Sequence, residues 1–342
     1  MKILTCLIIL TVFVPLSAID ILILPSSRIE TKYNSNILNL SPYHLDEYKA
    51  GGRPEKYTIS SADDIITSVR VELGLRHTYL GGRTQNNKFI LNYHKYWNNP
   101  IKDSGYFGYE FQQFFGRKIF VTLNYFYFPE IYVNNFTSEL ETETIYREFT
   151  YSRDIYRVRF RWRFHDMVHL DYKFDISHLY YNKYFTEYDA NNIESDIGFI
   201  VFPNDNIRMT IRYAYRISAA KGGAEAYPDL NVQKDPSYEM NNYYYSISFP
   251  FHILKRDTHF FSRIEYEERF FQSEYETNSY HFGREDRKFS FYNLLRIPLT
   301  DSVQLRTNYN FEQRRTDSPF SFVERDKKYS AHEIGLGLDM DL

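Results

Sequence analysis

DIYRVRFRWRFHDMVHLDYKFDISH, residues Asp154–His178, alternates residue by residue between two chemistries. Tyr156, Val158, Phe160, Trp162 and Phe164 occupy one set of positions, and Arg157, Arg159, Arg161 and Arg163 the other. A helix would scatter both sets around its circumference, whereas the period of two in a strand puts every arginine on one face and every aromatic on the other. After a turn around His165–Val168 the pattern resumes, with Leu170, Tyr172, Phe174 and Ile176 set against Asp171, Lys173, Asp175 and Ser177. A hairpin closed about Met167 predicts Arg163 opposite Asp171, Arg159 opposite Asp175, Phe164 opposite Leu170 and Trp162 opposite Tyr172. Such cross-strand pairs fix a register. The hairpin alone leaves open whether its apolar face meets a protein core or lipid.

The same alternation returns along the chain. Val69–Leu75, Phe89–Trp97, Phe107–Phe115, Ile119–Tyr127, Ile193–Val201, Ile207–Ile217, Tyr243–Phe249, Arg263–Arg269, Phe289–Ile297, Val303–Phe311 and Ile334–Leu342 join the two arms above, giving thirteen candidate strands. Short turns (Phe115–Lys118, His165–Val168, Pro203–Asn206, Thr300–Ser302) alternate with long polar connections (Glu130–Ser152, Ala219–Pro236, Ser273–Glu285, Arg314–Lys327). A β-sandwich has no reason to keep its long connections at one end, whereas outer-membrane barrels show that asymmetry. Tyrosine and phenylalanine, 33 and 29 in number, gather toward strand ends, where an interfacial girdle belongs.

Met1–Ala18 reads as a cleaved secretory signal, with Lys2, the apolar run Ile3–Val14 and a small-residue end. The single cysteine, Cys6, falls inside it, so the exported chain has no thiol. The net charge of -3 argues against generic nucleic-acid binding. A mean hydropathy of -0.52 is compatible with a membrane barrel, because half of each strand faces water. Residues 19–65 mix apolar patches with Pro25, Pro42, Gly51, Gly52 and Pro54, and read as a periplasmic extension, an irregular first strand or a lumen-filling segment. The expected organisation is therefore signal 1–18, N-terminal segment 19–65 and barrel 66–342.

The last strand sets Ile334, Leu336, Leu338, Met340 and Leu342 against Glu333, Gly335, Gly337, Asp339 and Asp341. In this it resembles the bacterial outer-membrane β-barrel proteins, over Ile66–Leu342 as a pattern. Their terminal strand carries such an alternation, although it usually ends in an aromatic residue where this chain has Leu342. The resemblance implies an all-β, antiparallel up-and-down transmembrane barrel with outer-membrane lipid around it and the barrel assembly machinery as its partner. Single-chain bacterial barrels have even strand numbers. About fourteen strands are expected, the missing one within Ala50–Asp63 or Glu141–Ser152.

The polar face would then line the lumen. Arg157, Arg159, Arg161, Arg163, Arg208, Arg212, Arg216 and Arg263 make a basic ladder that would concentrate small polar or anionic solutes. Asp171, Lys173, Asp175, Asp196, Glu265 and Glu267 share that face, and an interdigitated ion-pair network is the commoner outcome of such clusters. An open pore and a closed, salt-bridged barrel both fit. The rival reading is an outer-membrane hydrolase. Ser177 and His178 are adjacent and point to opposite faces, Ser330 and His332 lack a surrounding motif, and His165, Asp166 and His169 fall on a turn. No catalytic set, metal site or cofactor is expected from these residues.

Overall fold

Outward-pointing apolar side chains and inward-pointing polar ones recur along fourteen antiparallel strands, and each strand is hydrogen-bonded on both sides. The computed structural model describes residues 21–342 except 79–83, 141–142, 231 and 254–255. The expected signal sequence, Met1–Ala18, lies outside the described residues. In chain order the strands are β1 (Ile21–Asn34), β2 (Asp64–Thr78), β3 (Thr84–Tyr96), β4 (Ser104–Phe115), β5 (Ile119–Thr137), β6 (Tyr146–His165) and β7 (Val168–Tyr181). They continue as β8 (Ala190–Asn204), β9 (Ile207–Ala220), β10 (Tyr238–Ile253), β11 (Arg256–Phe271), β12 (Glu285–Pro298), β13 (Val303–Asp317) and β14 (Tyr329–Asp341). Each pairs with its sequence neighbours, and β1 closes the barrel on β14, from Ser26 opposite Asp341 to Asn34 opposite Glu333. Closure leaves the sheet without a free edge.

The strand missing from the count of thirteen is β1, in neither of the two expected places. Its alternation is legible only from Arg28 to Asn34, where Arg28, Glu30 and Lys32 face in and Ile29, Thr31 and Tyr33 face out. Ile21–Leu24 is apolar on both faces and Pro25–Ser27 interrupts it, so period two is hidden there. The wall thus begins at Ile21, well before residue 66. The loop expected at Glu130–Ser152 also contracts, because β5 and β6 run on to Thr137 and back from Tyr146. Irregularities between Phe128 and Ile131 and between Tyr132 and Asn134 absorb the polar residues that masked the pattern.

The Asp154–His178 hairpin has the expected faces in a register shifted by two. Trp162 lies opposite Leu170, Arg161 opposite Asp171, Phe160 opposite Tyr172 and Arg157 opposite Asp175. The pair next to the turn is His165–Val168, and a bulge between Trp162 and His165 takes up the slack. An even shift leaves every side chain on its expected face; an odd one would have reversed them all.

Both described chain ends and the short turns lie at one end of the barrel, the turn end; the long connections lie at the other, the loop end. The outer belt is apolar and bare, with Leu91 61%, Leu336 58% and Ile211 55% exposed. Near the loop end the outward tyrosines turn their hydroxyls to polar partners, Tyr33 to Asp63 at 3.0 Å and Tyr93 to Asp103 at 2.9 Å. Phe115, Trp162 and Phe164 ring part of the turn end. No helix among the described residues is long and apolar enough to cross a membrane.

At the loop end, residues 35–63 fold into a cap with its own small core of Ile37, Leu40, Tyr57 and Ile59. Within it, helix α1 (Pro42–Lys49) starts at Ser41, whose hydroxyl accepts from the His44 amide at 3.2 Å, and it is followed by Gly51 at φ +71°. Short helices α2 (Gly222–Ala226) and α3 (Ser321–Lys327) lie in later loops.

Candidate functional site: the charged lumen

Asp171 organises the inward face of β6–β9. Its carboxylate is fully buried and takes three guanidiniums: Arg159 from the neighbouring strand (2.6 and 2.7 Å), Arg161 (3.2 Å) and Arg212 from β9 (2.6 Å). Gly198 on the intervening strand makes this reach available, since a Cβ there would lie 2.7 Å from Arg212 Cγ. Arg212 also holds Asp196 at 2.9 Å, which Lys173 meets at 2.5 Å. Arg157 binds Asp175 through two nitrogens at 2.6 and 2.8 Å, and Arg216 binds Glu194 at 2.8 Å. These are charge-assisted bonds in a partly desolvated wall, stronger than neutral ones.

The structure thus brings Arg157, Arg159, Arg161, Asp171, Lys173, Asp175, Arg212 and Arg216 into adjoining clusters, with partners that follow the shifted register. Arg159, expected opposite Asp175, serves Asp171 instead. Arg163, expected opposite Asp171, sits at the bulge, where its amide donates to Lys118 O at 2.7 Å. Arg263, Glu265 and Glu267 belong to a separate part of the wall. Asn242 donates to Glu265 at 2.8 Å, Arg269 reaches Glu267 at 2.9 Å, and Arg263 lies over the Tyr292 ring at 5.2 Å. Arg208 lines a cavity at the turn end with no ion pair or hydrogen bond to its side chain among the described residues.

Sequence reasoning missed the network across the seam. Asp339 on β14 is shared by Arg28 of β1, Arg306 (3.5 Å) and Arg296 (3.9 Å), and Glu30 takes Arg306 at 3.2 Å. The same alternation names these residues once β1 is recognised as a strand. Buried apolar side chains also face inward, including Ile66, Ile90, Phe120, Ile200, Met240 and Leu294, so the lumen is lined by more than charge.

Ser177 accepts from Asn192 at 3.2 Å, while His178 pairs with Asn191 at 2.6 Å. His332, on the outward face of β14, meets Tyr309 at 3.0 Å. Neither histidine bonds to the serine beside it. His165 Nδ1 caps the Met167 amide at 3.1 Å, and His169 packs on Phe202 with ring centres 4.8 Å apart.

The loop-end cap has its own ionic centre. Glu47 accepts from Tyr57 at 2.6 Å and pairs with Arg53 and Lys56. Burial alone would raise its carboxyl, but these partners hold it down at about 2. Lys327, at the end of α3, lies over the rings of Tyr280 (4.9 Å) and Phe136 (5.7 Å). Its burial, and then the charges of Arg284 and Arg314, bring its ammonium down to about 7.

No family model matches the sequence, and no curated protein matches it. Solved structures do match in fold. The outer membrane channel DcaP of Acinetobacter baumannii aligns with a TM-score of 0.50 and 10% identity, covering 96% of this chain and 99% of that one. OmpT, an outer membrane protein of Vibrio cholerae in its trimer form, aligns with a TM-score of 0.50 and 8% identity, covering 95% and 100%. At such identities the likeness is one of fold: a closed antiparallel barrel of the bacterial outer-membrane kind, with fourteen strands here.

Proposed function

We propose that this chain is an integral outer-membrane barrel that passes small polar or anionic solutes through its charged lumen. The observation that carries the reading is the division of each strand. Bare aliphatic side chains form the outer belt, while guanidiniums and carboxylates face the enclosed space. In water that belt would be a large apolar liability; in lipid it is the required surface. In this reading the turn end is periplasmic, the loop end faces outward, and 1–18 is the export signal. Outer-membrane lipid and the barrel assembly machinery are the partners, with Ile334, Leu336, Leu338 and Met340 presented outward on β14 and Leu342 just beyond it.

The purified protein in planar bilayers should give stepwise current that prefers chloride over potassium. A second reading, a barrel closed at rest, is favoured by the inward apolar side chains and by the cap over residues 35–63. Absence of current from correctly folded, heat-modifiable protein would select that reading and overturn the first.

A further inference from the structure

At the turn end the inward faces of β8 to β13 line an open cavity of about 630 Å³. Its wall has two unlike halves. Arg208, Arg296 and Arg306 supply three guanidiniums against a single carboxylate, Asp205, while Phe202, Phe261 and Tyr292 supply flat apolar surface. Phe261 and Tyr292 meet edge to face, with ring centres 6.1 Å apart. The three arginines are not equally committed. Arg306 is buried and tied to Glu30 and Asp339. Arg296 has its head partly exposed and only a 3.9 Å contact with Asp339, a carboxylate already serving Arg28 and Arg306. Arg208 is exposed and has no charged partner among the described residues.

We propose that this cavity is a binding site for an organic anion with a flat apolar body. Its carboxylate meets Arg208 and Arg296, and its ring lies against Phe202, Phe261 and Tyr292. The unpaired Arg208 and the loosely held Arg296 fit a carboxylate, which guanidiniums hold by paired N–H donors. A purely inorganic anion would leave the aromatic half unused, and an apolar cation would face the arginines. The volume lies within the range of sites for compact ligands. A concave site with an apolar wall and a few convergent charges is the usual form of a small-molecule pocket. The site deepens the proposed solute-passing role and rests on it for its use, but binding is measured without current.

The test is titration calorimetry on the full-length protein in detergent, with sodium benzoate, sodium acetate and benzylamine hydrochloride as probes. Benzoate should bind, acetate about tenfold or more weaker through loss of the ring contacts, and benzylamine not at all. Arg208→Ala should weaken benzoate roughly tenfold or more, the loss expected for a charged hydrogen-bonding partner. Its side chain holds nothing in the fold, and unchanged heat-modifiable mobility checks that. Arg208→Lys should retain part of the affinity, and Phe261→Ala should bring benzoate toward acetate. Equal affinity for benzoate and benzylamine, or for benzoate and acetate, overturns the proposal, as does an unchanged constant in Arg208→Ala. Benzoate binding without bilayer current would keep the site and remove the channel; current without benzoate binding would do the reverse.

Discussion

Two stretches of the lumen wall, built by the same alternation, reach opposite charge balances. On β6–β9, Arg153, Arg157, Arg159, Arg161, Lys173, Arg208, Arg212 and Arg216 face inward against Asp171, Asp175, Glu194 and Asp196. That is eight cations against four carboxylates, before Arg147 at the mouth or Arg163 at the bulge is counted. From β12 through β14 and β1 to β2, Arg28, Lys32, Arg70, Arg76, Lys288, Arg296, Arg306 and Arg314 face eight carboxylates. These are Glu30, Asp64, Glu72, Asp286, Glu312, Glu333, Asp339 and Asp341. The balanced wall combines local pairs, such as Lys32–Glu333 at 3.1 Å and Arg70–Glu72 at 2.5 Å, with Asp339, which Arg28, Arg296 and Arg306 share. On the unbalanced wall the shared carboxylate, Asp171, is fully buried under its three arginines, whereas Asp339 stays partly exposed. The barrel as a whole is thus polarised across its width, with an excess of positive charge on one side of the enclosed space.

The largest effect should come from removing the shared carboxylate. Asp171→Asn leaves Arg159, Arg161 and Arg212 crowded without their anion, and breaking such a buried cluster costs roughly 3–5 kcal/mol. Unfolding followed by gel mobility after stepwise heating should show a clear fall in midpoint. Asp339→Asn on the balanced wall should fall much less, because Glu30 still holds Arg306. Equal losses would mean that full burial of a shared carboxylate confers no special dependence.

The next effect is one of pH, at the loop end above the balanced wall. Burial of Lys327 in the β13–β14 loop brings its ammonium from the ordinary 10.5 down to about 7 in the folded protein. Between those values the unfolded loop binds the extra proton, so its stability should rise with pH from about 7 to about 10.5; below 7 the penalty is constant. Proteinase K digestion of the outer loops should slow over that window, and Lys327→Met should flatten the dependence. The smallest effect concerns the cations that no carboxylate holds. Arg153→Gln with Arg208→Gln should leave the stability within about 0.5 kcal/mol of the parent, as for changes that break no partner. The reversal potential in a salt gradient should nevertheless move toward cations. Unchanged selectivity would reduce the charge excess to scaffolding.

The faces of the strands were legible in the sequence because period two survives any even slip. The partners were not. A register shift of two, half of it taken up by a one-residue bulge beside His165, moved Arg159 from Asp175 to Asp171, and nothing in the order of residues announces a bulge. β1 stayed only one of three readings of residues 19–65 because Ile21–Leu24 is greasy on both faces and Pro25 stands in its path, although Arg28–Asn34 alternates as clearly as any strand. With β1 went half of the seam network, Arg28 and Glu30. The turn-end cavity needed three dimensions, since Arg208, Phe261 and Arg296 come from three strands whose juxtaposition depends on stagger as well as on face.

The bond between β1 and β14 joins positions 311 residues apart, Arg28 with Asp339. Until the last strand is in place, the first has a neighbour on one side only, and both present bare hydrogen-bonding edges to whatever is nearby. Contacts so distant along the chain form late and slowly, and unpaired edges invite association with other chains. Completion of this sheet therefore waits on the meeting of its two outermost strands, the one pairing that no sequence neighbour supplies.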